Sequence, residues 1–62
     1  MSLREYLFRK NLTSKALAEK VQCHPNYIYL IKSKKIVPSM RLAKDISNET
    51  GGEVTIEELM AG

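Results

Sequence analysis

"LTSKALAEKVQCHPNYIYLIKSKKIVPS", residues 12–39, holds two helical patterns separated by "QCHP". Thr13 or Ser14 can cap the first, in which Leu17, Ala18 and Val21 share a face at i, i+1 and i+4. His24 precedes a proline, which biases it to the extended backbone that a cap residue needs. Pro25 suits the first helical position, where its missing N–H costs nothing. The second pattern therefore reads as a helix from Pro25 to about Ser33, broken by "KKIVPS". Stepping about 100° per residue, Ile28 and Ile31 lie on one side of it. Asn26, Tyr29, Leu30 and Ser33 fall opposite, with Tyr27 and Lys32 on the flanks.

The rest of the chain is punctuated in the same way. Ser2 followed by Glu5 forms a capping-box pattern that starts a helix through about Lys10. Leu3, Tyr6, Leu7 and Lys10 fall on one side of it, with Leu3 and Tyr6 as its expected core contacts. Asn11 tolerates the left-handed conformation that ends a helix. Ser39 caps a fourth helix carrying Met40, Ala43 and Ile46 at threes, and Gly51-Gly52 ends it. Thr55 followed by Glu58 repeats the capping-box pattern before a short last helix with Ile56 and Leu59. The expectation is one all-α domain of five short helices over residues 1–62, with a two-helix unit at about 13–33.

Sixty-two residues bury only about 60% of the unfolded surface, so stability is marginal unless something staples or pairs the chain. The single cysteine, Cys23, cannot form an internal disulfide, and no Cys/His cluster suggests a structural metal. A reducing cytoplasm is the simplest home. No apolar run approaches the roughly 20 residues that cross a bilayer, and "MSLREYLFRK" lacks a secretory apolar stretch. No cofactor motif is visible.

Net charge is +3, but its distribution is lopsided. Residues 1–44 hold all ten Lys and Arg against two acids, Glu5 and Glu19, a balance of +8. Residues 45–62 hold five acids and no base, a balance of −5, and no acid lies between Glu19 and Asp45. A charged face is most often only a solvated one. A one-signed field along most of a domain nevertheless attracts a polyanion, and nucleic acid is the commonest. The outward face of the third helix suits that partner. Asn can pair bidentately with adenine, apolar atoms can meet a thymine methyl, and the lysines past the helix end can reach phosphates.

The order of these features resembles the helix-turn-helix family of phage Cro and CI-type repressors. Residues 12–39 look like that family's two-helix unit, with its small residue at Ala18 and its apolar positions at Leu17, Val21, Ile28 and Ile31. "TGGEVTIEELM", residues 50–60, is similar to the end of small Cro-like regulators. The resemblance implies a compact lambda-repressor-like fold and a repressor that binds double-stranded DNA as a homodimer, at least on DNA. Its second unit helix would enter the major groove. By position, base contacts would fall on Pro25, Asn26, Tyr29 and Leu30. Phosphate contacts would fall on Ser14, Lys15, Tyr27, Lys32, Ser33, Lys34 and Lys35. The chain departs from the family where glycine is common, at Gln22 and Lys34. It also departs at Leu7 and Lys32, where relatives place an arginine and a glutamate.

The dimer surface is open in sequence. Val54, Ile56, Leu59 and Met60 either pair two copies or close the monomer core. A protein-interaction module is the alternative function, because the same fold serves in antitoxins and adaptors, where Tyr27, Tyr29 and Leu30 would be anchors. Enzyme chemistry has little to stand on. Cys23 and His24 are adjacent at a helix start and point apart, and no third orienting group accompanies them.

Overall fold

A side chain starts each of the five helices among the described residues. A computed structural model describes residues 1–61; Gly62, the last residue of the expected domain, lies outside the described residues. Its helices are α1 (Leu3–Arg9), α2 (Ser14–Val21), α3 (Pro25–Lys32), α4 (Met40–Glu49) and α5 (Ile56–Met60). The caps are Ser2, Thr13, His24, Ser39 and Thr55, each with extended backbone and a side chain accepting from an N–H two or three residues on. Such a cap contributes about 1 kcal/mol by satisfying an otherwise orphaned donor. Both capping-box patterns form only their forward half. Ser2 and Thr55 accept at 3.1 Å from the amides of Glu5 and Glu58. The two carboxylates instead pair with Arg9 at 2.8 Å and with the Met1 amine at 2.6 Å.

Four of the helices end by one device. The amides of Leu12, Cys23, Lys35 and Gly52 reach back to the carbonyls of Leu7, Ala18, Leu30 and Ser47 at 2.8 to 3.0 Å. This closure satisfies an orphan carbonyl and needs a left-handed residue just before the donor. Those residues are Asn11 (φ 55°), Gln22 (φ 57°), Lys34 (φ 61°) and Gly51 (φ 64°). Only the last is the glycine that the conformation favours; the others carry a steric cost of roughly 1–2 kcal/mol. Gln22 and Lys34, the two positions where the resembled family commonly has glycine, thus take the left-handed conformation without one.

The helices close over one core. Leu17, Ala18, Ile28, Ala43, Ile46 and Val54 have essentially no exposed surface, and Leu3, Tyr6, Leu7, Val21, Ile31, Leu42 and Leu59 complete the cluster. The contact between α2 and α3 is the most extensive of any helix pair. Leu7 joins Leu3 and Tyr6 inside. On α4 the expected Met40 is half exposed and Leu42 takes its place beside Ala43 and Ile46. At about 100° per residue those three share a face, and Met40 lies more than a quarter-turn from its centre. Val54 and Leu59 serve the monomer core, Ile56 packs on its margin, and Met60 stays partly exposed. Among the described residues there is no strand, and no helix is long and apolar enough to cross a membrane.

Among the described residues Thr50 is the one buried polar residue, and both halves of its hydroxyl are used. It donates to the Ser47 carbonyl at 3.1 Å and accepts from the Val54 amide at 3.2 Å. The bond turns the chain after Gly51-Gly52 so that Val54 plugs the core. Thr50→Val should therefore orphan a buried amide and cost about 1–3 kcal/mol. In a domain this small the thermal midpoint should fall by several degrees, read by circular dichroism; an unchanged midpoint would contradict the role.

Candidate nucleic-acid interface

Helix α3 is presented by its own start. The unprotonated Nδ1 of His24 accepts from the Asn26 amide at 3.0 Å, and Pro25 occupies the first helical position. Ile28 and Ile31 are buried, so the opposite side of the helix must face out. Asn26 is exposed, Tyr29 is 50% exposed, and Pro25 and Leu30 are half-buried. All four residues expected to touch bases therefore retain solvent-facing surface on one helix. The Asn26 side chain is the only one of them with both a donor and an acceptor in the amide arrangement that matches adenine.

The residues expected to touch phosphate divide. Lys15, Lys34 and Lys35 are exposed, whereas Ser14, Tyr27, Lys32 and Ser33 are half-buried. Thr13 rather than Ser14 performs the capping of α2, accepting from Ala16 at 3.0 Å. Tyr27 packs on the edge of the core, which favours a structural role for its ring over a reach toward ligand. Lys32 holds its ammonium 5.6 Å above the centroid of the Tyr29 ring. This cation–π contact sets a positive charge beside the phenol on the outward side of α3.

The ion pairs sort the charges in space. Glu53 meets Lys10 at 3.8 Å, Glu49 meets Lys20 at 3.9 Å, and Glu5 meets Arg9 at 2.8 Å. These are exposed pairs, worth at most about 1 kcal/mol each. Their positions matter more than their strength. Two acids of the last third of the chain, Glu53 and Glu49, meet Lys10 just past the end of α1 and Lys20 of α2. Among the described residues, Arg4, Lys15, Lys32, Lys34, Lys35, Arg41 and Lys44 have no carboxylate within ion-pair distance. Every lysine that the sequence assigned to phosphate belongs to that unpaired set.

Cys23 is half-buried in the turn between α2 and α3, and burial pushes its thiol up from the ordinary value. A raised thiol holds less thiolate at neutral pH, the reverse of what a nucleophile needs. His24 spends its Nδ1 lone pair on the cap. Among the described residues no group of His, Cys, Asp and Glu could hold a metal ion.

The sequence reading passed over two features. Phe8 is 86% exposed on α1, and its phase could have shown it, since it lies nearly opposite the Leu3, Tyr6 and Leu7 face. Arg4, also on α1, borders the end of α3. Only the fold brings those two elements together, so no local signal pointed to it. The chain matches no family model, no curated protein and no solved structure.

If the His24 side chain holds the start of α3, His24→Ala should destabilise the domain by about 0.5–2 kcal/mol and His24→Asn should largely restore it. Chemical denaturation of the three proteins checks this. Equal stability of wild type and the Ala variant would show the cap to be idle.

Proposed function

We propose that this chain is a sequence-specific double-stranded DNA-binding regulator acting in the cytoplasm, a small Cro-like repressor of the lambda-repressor-like class. In this reading α2 and α3 form a helix-turn-helix, and α3 enters the major groove with Asn26 and Tyr29 reading bases. Pro25 and Leu30 add apolar contacts. The observation that carries the reading is the coincidence of two independent features on α3. Its outward face is an exposed amide and phenol with a half-buried leucine, and it is flanked by lysines that have no carboxylate partner among the described residues. A single unit of this size reads few base pairs, so binding as a two-fold dimer on half-sites about one helical turn apart is part of the proposal.

Phosphate contacts release counterions, so affinity should fall steeply with salt. Lys35→Ala should lower the log–log salt slope by about one while keeping sequence preference. Asn26→Ala should instead cost about 1–3 kcal/mol on the best site and flatten discrimination at one base pair. Fluorescence anisotropy on a preferred and a scrambled duplex separates the two effects. Equal loss on both duplexes after Asn26→Ala would sink the base-reading role.

One observation favours a protein partner as the second reading. Phe8, Tyr29, Val37 and Met40 are large apolar side chains at least 47% exposed, and such residues anchor protein interfaces. No binding to random duplex at low salt would make an antitoxin-like or adaptor module the better account.

A further inference from the structure

We propose that Arg4, Lys32 and Lys34 form a phosphate seat between α1 and the end of α3, at the edge of the base-reading face. An open groove of about 630 Å³ lies there, bordered by these three cations, by Ser2 and Ser33, and by Glu58 from α5. Among the described residues Glu58 is the groove's one carboxylate, and it lies 2.6 Å from the Met1 amine. Arg4 and Lys32 also border the neighbouring groove along α1, whose carboxylate, Glu5, is held by Arg9 at 2.8 Å. Both acids within reach are thus engaged by other cations. The fold gathers three positive charges from α1, the end of α3 and the turn after it, and none of them has an ion-pair partner among the described residues.

The placement is rigid at the backbone. Arg4 sits in the first turn of α1 and Lys32 in the last turn of α3. Lys34 is held at φ 61° by the closure in which the Lys35 amide reaches the Leu30 carbonyl at 3.0 Å. An arginine fork beside two ammonium groups matches the tetrahedral, multiply charged oxygens of a phosphate. The Ser33 hydroxyl can donate to the same group, as can that of Ser2, whose oxygen is used in capping but whose proton is free. The ligand is a phosphate group, either of a DNA backbone or free in solution. The DNA source rests on the function proposed above; the seat itself does not.

The test has two arms. In the first, inorganic phosphate is titrated against isotope-labelled protein at constant ionic strength and amide shifts are followed. Shifts concentrated at Arg4, Ser33 and Lys34, and lost in Arg4→Gln, are expected. In the second, binding to a random duplex is measured against salt. Arg4→Gln should lower the log–log slope by about one, Arg4→Lys should restore it, and Lys44→Gln on α4 serves as a cation control outside the groove. Localised shifts with an unchanged slope would assign the seat to free phosphate rather than DNA. No duplex binding by the wild type would remove the DNA-binding reading and leave the first arm to decide the seat. Shifts spread evenly over all lysines, together with no slope change on Arg4→Gln, would overturn it.

Discussion

Everything distinctive about this molecule depends on the close packing of α2 against α3. Ala18 and Ile28, both without exposed surface, belong to the core these helices share. A three-residue turn, Gln22 to His24, joins them. The turn works because Gln22 accepts a left-handed conformation and the Cys23 amide closes back onto Ala18. That geometry fixes how α3 leaves α2 and therefore which side of α3 meets water. With Ile28 and Ile31 committed to the core, Asn26 and Tyr29 can only face outward.

The chain spends conformational strain to hold this arrangement. Among the described residues three that are not glycine, Asn11, Gln22 and Lys34, stand left-handed at helix ends. Each lies in a closure that satisfies backbone carbonyls, so the strain is offset by hydrogen bonds that a fraying end would lose. At Lys34 the strain coincides with the proposed phosphate contact. A glycine there would ease the backbone but would remove a cation from the end of α3.

Much of this was legible in the sequence because caps and helix ends are local. Ser2, His24, Ser39 and Thr55 can be read as caps and the remaining cap narrows to Thr13 or Ser14, since each cap bonds an amide two or three residues away. Helix phase identified Ile28 and Ile31 correctly. It failed on Met40 because a spacing of threes at the first turn was read without its neighbour Leu42. Long-range partners were not legible at all. The reach of Glu53 to Lys10, and the shared groove of Arg4 with Lys34, follow from how the ends of the chain are folded together. The charge asymmetry could be counted in sequence. Which lysines it would leave unpaired could not.

The central claim is that the outward face of α3 reads base pairs. Selection of bound duplexes from a random-sequence library tests it most directly. The account predicts enrichment of a short motif repeated with two-fold symmetry, its half-sites about one helical turn apart. Bound duplexes as random in sequence as the starting pool would contradict it.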